Sequence, residues 1–327
     1  MNKTSSETLY FRPLPLLSHP LAQTIIGSFG YPLKGAPSEV WTTPVEEGNA
    51  VDSKHSVPEH WAEGDPIVLM THGLSGSTES RYMVRMSRRL YREGRRVVRV
   101  NHRGISCDHI KSRILSHGGV TSDLLAVIKE VHGRFPDSPM TLIGFSVGAN
   151  MVLKLLGELG HEAHQYLERA IAVSPPVSLY DSALRFNWPV HALIQRSFSK
   201  KLKELVRTIE QEYPSLEPVH LPENMTILDF DEHYTAPMWG YRDAAEYYEK
   251  NSSGRYVSNI DLPCRILYSL DDPLVSGENI EVLECPSVVE KYKTEHGGHL
   301  GFLGYTGRMF NFRWMDHILM QWINENW

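Results

Sequence analysis

The chain has 327 residues, of which 41% are hydrophobic and 22% are charged. This composition is typical of a folded globular protein and excludes intrinsically disordered, collagen-like and coiled-coil chains. The formal net charge of -6 argues against a nucleic-acid-binding protein, because such proteins usually have a basic surface. The three cysteines, Cys107, Cys264 and Cys285, include no C-x-x-C pair. We therefore expect a reducing compartment, with neither disulfides nor a zinc ribbon.

Neither export nor membrane insertion is indicated by the sequence. The first residues are polar and lack the apolar core of a signal peptide. No run of roughly 18 or more apolar residues occurs, so no segment is predicted to cross a bilayer as a helix. These features predict a cytoplasmic protein without a membrane span.

Short apolar segments alternate with helical patterns along the chain. Strands are predicted at residues 66–70, 96–100, 140–143, 170–173 and 265–268, and strands this apolar are buried on both faces. Helices are predicted around residues 124–131 and 152–159, on either side of the third strand. The alternation predicts one α/β domain over residues 1–327, with a mainly parallel central sheet and helices on both faces. The active site of such a sheet lies at the carboxyl ends of its strands.

Residues 178–258 interrupt this alternation. The segment is rich in aromatic and charged residues with helical spacing. An insertion between two strands lies above the strand ends, where loops carry function. We therefore predict an inserted helical lid that shapes the substrate pocket without doing the chemistry.

The sharpest motif is Gly144-Phe145-Ser146-Val147-Gly148, a G-x-S-x-G sequence directly between a predicted strand and a predicted helix. A serine on a tight strand-to-helix turn projects its hydroxyl into the crevice, and small residues two positions away avoid clashes at the turn. The N-terminus of the following helix directs its N–H groups towards negative charge that develops near Ser146. We predict that Ser146 is a nucleophile; the alternative is an ordinary glycine-rich turn.

A serine hydroxyl needs a base and a group that orients the base. Asp271 and Asp272 follow a predicted strand, directly before Pro273. We predict that Asp272 orients the base, because it directly precedes the proline and the turn. Asp271 is then expected to cap the turn or face solvent.

Two imidazoles follow in the loop His296-Gly297-Gly298-His299. We predict that His299 is the base, since two glycines allow its loop to bring the ring to Ser146. His296 is interpreted as a surface or loop residue. The chain order serine, aspartate, histidine is that of the alpha/beta-hydrolase arrangement.

This arrangement also needs two N–H donors for an oxyanion. The loop that begins at His72 and Gly73 follows the first predicted strand, where one donor is expected, and the residue after the nucleophile supplies the other. We predict that the backbone N–H groups of Leu74 and Val147 form the oxyanion hole. His72 is predicted to have a structural hydrogen-bonding role.

Eight arginines lie close together between residues 81 and 99. Arg81, Arg85, Arg88 and Arg92 recur at helical spacing. Such a stripe could dock anionic lipid headgroups. The favoured interpretation is a solvated helix face whose opposite side packs on the sheet.

No metal site is predicted. Asp229, Asp231, Glu232 and His233 lie close in sequence but lack the spacing of a zinc or calcium site. The run His161-Glu162-Ala163-His164 does not match H-E-x-x-H and is interpreted as a helix end with an exposed tail.

Together these residues resemble the YheT-like branch of the AB-hydrolase superfamily. The resemblance covers nearly the whole chain and includes Gln23-Thr24, the loop from His72 to Ser77 with Tyr82, Asn101-His102-Arg103-Gly104, Gly144 to Asn150, Asp271-Asp272-Pro273 and Gly297 to Phe302. It implies an alpha/beta-hydrolase fold in which the family's serine, aspartate and histidine fall on Ser146, Asp272 and His299. It also implies hydrolysis of carboxylic esters, often with medium-chain or lipid acyl groups, without a metal or organic cofactor. Some members of the family transfer the acyl group to an alcohol.

The expected function is that of a serine carboxylesterase that cleaves a small-molecule ester with an apolar acyl group through an acyl-enzyme. Two alternatives stay open: an acyltransferase that passes the acyl group to an alcohol, and a non-catalytic ligand-binding protein on a hydrolase scaffold. No nucleic-acid partner is expected. Peripheral contact with a membrane is left open.

Overall fold

The computed structural model describes residues 6–29, 34–46, 48–307 and 311–327. Residues 1–5, the start of the polar N-terminal segment, lie outside this part of the chain. The strands of the described residues are β1 (Glu7–Thr8), β2 (Glu39–Glu46), β3 (Asn49–Ser56), β4 (Ile67–Thr71), β5 (Arg96–Val100), β6 (Met140–Phe145), β7 (Arg169–Val173), β8 (Cys264–Ser269) and β9 (Val289–Thr294).

These strands form one sheet in the order β1-β9-β8-β7-β6-β4-β5-β3-β2. Pairing is parallel from β1 across to β5, whereas β3 is antiparallel to β5 and β2 is antiparallel to β3. The prediction of a mainly parallel central sheet is confirmed. All five predicted strands are present, with their ends displaced by no more than about two residues, as is usual for strand boundaries.

Four strands at the edges of the sheet, β1, β2, β3 and β9, were not predicted. In β3 the side chain of Asp52 is fully buried. Its oxygens accept hydrogen bonds from Lys111 Nζ at 2.9 and 3.0 Å, from Thr42 Oγ1 at 2.8 Å and from the Cys107 N–H at 2.9 Å. Because these partners come from other segments, the spacing of apolar residues in the sequence could not predict β3.

The α-helices of the described residues are α1 (Pro20–Ser28), α2 (Arg81–Arg92), α3 (Thr121–Arg134), α4 (Val147–Leu159), α5 (Leu179–Phe186), α6 (Ala192–Glu212), α7 (Ile227–Phe230), α8 (Ala236–Met238), α9 (Ala244–Asn251), α10 (Gly277–Glu281) and α11 (Trp314–Asn324). A search of the described residues finds no helix with the length and apolar character needed to cross a bilayer.

Helices cover both faces of the sheet, as predicted. Alternate residues of a strand point to opposite faces, and in β4 Leu69 enters one apolar core while Met70 enters the other. The first core includes Leu156 of α4 and residues of α3. The second includes Met86 of α2 and Leu319 of α11.

The segment between β7 and β8 forms helices α5 to α9 around an apolar cluster of its own. Asn150 of α4 ties this insertion to the sheet domain. Its Nδ2 donates to the carbonyl oxygens of Gly118 at 2.8 Å and Asn251 at 2.9 Å, and its Oδ1 accepts from the Ser253 N–H at 2.8 Å. The insertion is therefore anchored to α4 and to the loop before α3, while its action as a lid stays a prediction.

The arginines between residues 81 and 99 do not form one solvated face. Arg85 makes a two-point ion pair with the buried carboxylate of Asp316 in α11, at 2.8 and 3.0 Å. Arg96 and Arg99 lie in β5 and are buried, and Arg99 donates to the carbonyl oxygen of Thr78 at 2.6 Å. The prediction of a solvated helix face is wrong for Arg85, because α11 packs against it, whereas the burial of Arg96 and Arg99 agrees with the strand predicted at residues 96–100.

Four buried histidines have lowered pKa values. Burial lowers the pKa of His55 and of His117 to about 3 and the pKa of His72 to about 4. Burial also lowers the pKa of His102 well below its ordinary value. In the unfolded chain a histidine titrates near 6.5, so below that pH the unfolded chain binds more protons at these four residues than the folded chain does.

We therefore expect the free energy of unfolding to fall as the pH is lowered from about 6.5 to 4.5. Asp231 opposes the effect, because burial raises its pKa to about 6 and the folded chain takes up a proton there. Each proton of difference between the two states corresponds to about 1.4 kcal/mol per pH unit, and the four histidines outnumber this aspartate. Urea unfolding at several pH values measures how the free energy of unfolding changes with pH. A free energy that stays constant between pH 6.5 and 4.5 would contradict the neutral state of the histidines.

Candidate active site

Four loops meet at the carboxyl edge of the sheet. Ser146 directly follows β6, the loop from His72 follows β4, Asp272 follows β8 and His299 follows β9. These strands are parallel and lie close together in the order β9-β8-β7-β6-β4. Loops that follow parallel strands share one edge of the sheet, so residues distant in sequence come together there.

Ser146 lies on a strained turn between β6 and α4. Its backbone has φ 54° and ψ -122°, a conformation that costs a non-glycine residue roughly 1–3 kcal/mol. Its N–H donates to the carbonyl oxygen of Val173 at 2.8 Å, which ties the turn to β7. Neither glycine of the motif has room for a side chain. A Cβ at Gly144 would lie 2.5 Å from the Gly148 oxygen, and one at Gly148 would lie 2.5 Å from the His72 oxygen.

His299 lies between Ser146 and Asp272. Its Nε2 is 2.9 Å from Oγ of Ser146, and its Nδ1 is 2.8 Å from Oδ2 of Asp272. A carboxylate only accepts, so Nδ1 carries the proton and Nε2 is left to accept from the serine hydroxyl. The Asp272 side chain is 2% exposed, and its Oδ1 accepts from the N–H groups of Leu274 at 2.8 Å and Val275 at 2.9 Å.

Asp271 holds the loop of His299 in place. One of its oxygens accepts the Gly298 N–H at 2.9 Å, and the other is 3.2 Å from Nδ1 of His296. The expectation that Asp271 caps its own turn or faces solvent is therefore wrong, because the histidine loop folds back over it. Thr24 of α1 supports the same loop, since its Oγ1 accepts the His299 N–H at 2.9 Å.

The loop after β4 lies directly against the serine. A Cβ at Gly73 would be 3.0 Å from the Cβ of Ser146, and the Gly73 N–H donates to the hydroxyl oxygen of Tyr82 at 2.9 Å. Within the described part of the chain, no hydrogen bond uses the N–H of Leu74 or of Val147. Both predicted oxyanion donors therefore have no hydrogen-bond acceptor among the described residues. Tyr82 and Thr24 had been singled out by the resemblance, but no local sequence pattern revealed what they contact.

Residues 66–304 match the family of the alpha/beta hydrolase fold. The chain belongs to this family. It is 28% identical over 281 residues to YheT of Escherichia coli (strain K12), a candidate esterase, in a match that covers 85% of this chain and 82% of the relative. The resemblance to the YheT-like branch is thereby confirmed.

Two further likenesses agree with membership of this family. It is 31% identical over 268 residues to medium-chain fatty acid ethyl ester synthase/esterase 2 of Saccharomyces cerevisiae. That match covers 73% of this chain but only 58% of the yeast protein. The Pyrococcus furiosus esterase Pf2001 has the same fold, with a TM-score of 0.55 at 18% identity, over 88% of this chain and 94% of the esterase.

His72 has no nitrogen free to serve as a base in this hydrolase. Its Nδ1 is 2.8 Å from the carbonyl oxygen of Gly73, and its Nε2 accepts the His102 N–H at 3.3 Å. The two imidazoles stack with their centroids 3.8 Å apart. Burial lowers the pKa of His72 to about 4, so the ring is neutral at pH 7. These contacts agree with the structural role predicted for it.

The insertion brings side chains close to Val147, the residue after the proposed nucleophile. A Cβ at Gly118 would meet Leu179 Cδ2 and Val147 Cγ1, each at 3.3 Å, and the hydroxyl oxygen of Tyr247 at 3.4 Å. Leu179 begins α5 and Tyr247 belongs to α9. Leu74 packs against the apolar cluster of the insertion. Both candidate oxyanion residues therefore lie beside apolar parts of the insertion.

The acidic segment of the insertion is held by internal hydrogen bonds. Asp229 accepts from the N–H of Thr226 at 2.9 Å and caps α7. Asp231 is buried and accepts from the hydroxyls of Thr235 at 2.6 Å and Tyr248 at 2.7 Å. These contacts hold both aspartate side chains within the insertion.

We expect Gly148→Ala to reduce turnover of a p-nitrophenyl ester by roughly 10²-fold, because displacing reacting groups by about 1 Å costs that much. The added methyl would overlap the His72 and Thr71 carbonyl oxygens at 2.5 and 2.7 Å. Steady-state kinetics of the purified variant measure the loss.

Gly133→Ala is the matched control. Gly133 also lies in a helix, α3, but a Cβ there has no neighbour within 4 Å. Alanine favours a helix over glycine by about 1 kcal/mol, so this variant should be as stable as the parent and fully active. Equal activity of the two variants would contradict the steric requirement at Gly148.

Proposed function

We propose that this hydrolase is a serine carboxylesterase with Ser146 as nucleophile, His299 as base and Asp272 as the group that orients the base. The proposal is carried by one observation: Nε2 of His299 lies 2.9 Å from the serine Oγ while Asp272 occupies Nδ1. This geometry leaves Nε2 able to accept the hydroxyl proton. A serine that does not act as a nucleophile would not need an imidazole base that a carboxylate orients.

The reaction proceeds in two steps through an acyl-enzyme. Oγ of Ser146 attacks the ester carbonyl carbon while Nε2 of His299 takes its proton, and Asp272 stabilises the imidazolium. The imidazolium then protonates the departing alcohol. A water molecule, deprotonated by His299, attacks the carbonyl carbon of the acyl-enzyme. The bond to Oγ of Ser146 breaks, the imidazolium returns the proton to Oγ, and the carboxylic acid is released.

Negative charge on the carbonyl oxygen is stabilised by backbone N–H groups in this proposal. The donors of Leu74 and Val147 are uncommitted, and each such donor contributes roughly 3 kcal/mol to transition-state stabilisation. Val147 is the first residue of α4. The positive end of that helix dipole therefore lies where the oxyanion forms.

The proposed substrate is a small-molecule ester with an apolar acyl group. Leu179 lies close to Val147, the residue after the serine, and Leu74 packs against the apolar cluster of the insertion. Pockets for apolar ligands are lined by such side chains. The name of the yeast relative refers to medium-chain fatty acid esters. Residues 178–258 would then act as the lid that excludes water and selects the acyl chain.

Ser146→Ala is expected to lower turnover of a p-nitrophenyl ester by roughly 10³-fold or more while the fold is kept. The variant should also lose covalent labelling by a fluorophosphonate probe, since only an activated serine reacts. Labelling separates an esterase from a non-catalytic ligand-binding protein. If the fluorophosphonate probe does not label the parent protein, the proposal is wrong.

Ser174→Ala supplies the matched control for this experiment. Ser174 directly follows β7, is fully buried and has a similarly unusual φ of 48°. Its hydroxyl has no hydrogen-bond partner among the described side chains and backbone. The variant should keep both the activity and the labelling of the parent.

A second candidate function, acyl transfer to an alcohol, is favoured by the yeast relative, whose name includes ester synthase activity. The acyl-enzyme would be the same, and an alcohol would replace water in the second step. Product analysis by gas chromatography with added ethanol distinguishes the two. Hydrolysis predicts free acid as the main product, whereas a predominance of ethyl ester would favour the transferase.

A further inference from the structure

A second cluster of chemically active side chains lies at the other end of the strands. His161 and His164 belong to the 3₁₀ turn Gly160–Gln165, before the amino end of β7, and Asp261 lies shortly before the amino end of β8. Ser146 follows the carboxyl end of the parallel strand β6. We propose that His161, His164 and Asp261 bind a divalent transition-metal ion such as zinc.

The spacing of the three ligands suits such an ion. Their ligand atoms all lie within 4.8 Å of one another. Oδ2 of Asp261 is 2.7 Å from Nδ1 of His161 and 3.9 Å from Nε2 of His164. Tetrahedral zinc, with bonds of about 2.1 Å, requires ligand atoms about 3.4 Å apart. The observed separations lie on both sides of that value, so small side-chain rotations would form the site.

The 3₁₀ turn explains why two histidines three residues apart face the same way. Side chains at i and i+3 eclipse each other in a 3₁₀-helix, and the two imidazole centroids are 5.3 Å apart. In an α-helix, metal-binding histidines are usually four residues apart. Gly160, with φ 51°, ends α4 and begins the tighter turn. Residues 161–164 thus follow a helix end and are largely exposed, as predicted, and the turn places both imidazoles on one side.

Buried neighbours hold the two segments against each other. Ala163 is fully buried between the histidines, and Ile260 and Leu262 are buried on either side of Asp261. All three belong to the same apolar core. The backbones that carry the ligands are therefore fixed, while the ligand side chains remain free to turn.

The cluster is open to ions from solvent. The side chains of His161, His164 and Asp261 are 90%, 41% and 52% exposed. An ion would replace the hydrogen bond between His161 and Asp261 and the 3.0 Å contact of His164 Nε2 with the Asp261 carbonyl oxygen. Water would complete the coordination on the open side.

The donor set selects the class of metal. Imidazole nitrogens suit zinc, nickel and copper. Calcium takes six to eight oxygen ligands, and magnesium prefers carboxylates, phosphates and water in octahedral geometry. Two imidazoles and one carboxylate therefore favour a transition metal over either of these ions.

Isothermal titration of the full chain with Zn²⁺ tests the proposal. The parent should bind zinc, and His161→Ala and His164→Ala should each weaken the binding at this site by roughly tenfold or more, because each removes a ligand. Calcium and magnesium should give no comparable heat. All substitutions are at exposed positions, so the variants should unfold at the parent's temperature in the absence of metal.

His109→Ala is the matched control. Nδ1 of His109 is 3.2 Å from Oδ2 of Asp108, and both side chains are exposed. That carboxylate also binds the ammonium of Lys111 at 2.7 Å. The pair thus resembles the proposed site but lacks a second imidazole, and its loss should leave zinc binding unchanged.

Thermal unfolding provides an independent readout. A ligand that binds only the folded chain raises its unfolding temperature, so zinc should stabilise the parent and His109→Ala but neither His161→Ala nor His164→Ala. Unchanged zinc affinity and stabilisation in both of the latter variants would overturn the proposal. Since no esterase measurement enters the comparison, failure here would not bear on the proposed hydrolysis.

Discussion

The contact between Asp272 and Nδ1 of His299 is the interaction on which the candidate active site depends. It fixes which imidazole nitrogen carries the proton and therefore which nitrogen faces Ser146. The carboxylate is itself held by two backbone N–H groups and shielded from water. Because Asp272 and His299 follow the neighbouring parallel strands β8 and β9, the sheet determines the distance between their loops before any substrate binds.

Close backbone approach is the second constraint. The strained turn at Ser146 packs against the loop after β4 so tightly that Gly73, Gly144 and Gly148 leave no room for larger side chains. Strain of this kind persists only where the surrounding structure holds the residue in place. Here the sheet and α4 do so.

Buried polar groups connect the outer elements of the fold to this core. Asp52 holds β3, the neighbour of the edge strand β2, to the loop at Cys107, and Asn150 fixes the insertion to α4. Arg85 joins α2 to α11 through Asp316. Each buried polar atom needs a partner, so these contacts determine where a strand, an inserted segment and a terminal helix dock.

Local pattern in the sequence was enough to predict the five central strands, the parallel α/β architecture and the turn at Ser146. These features depend on short apolar runs and on glycine spacing, which neighbouring residues express directly. The proline after Asp272, the two glycines before His299 and the resemblance together favoured these two residues over their neighbours. The polar strand β3, the role of Asp271 and the cluster of His161 with Asp261 were decided only by the tertiary structure. Each of them depends on contacts between residues that are far apart in the chain. The spacing of residues along the sequence does not predict such contacts.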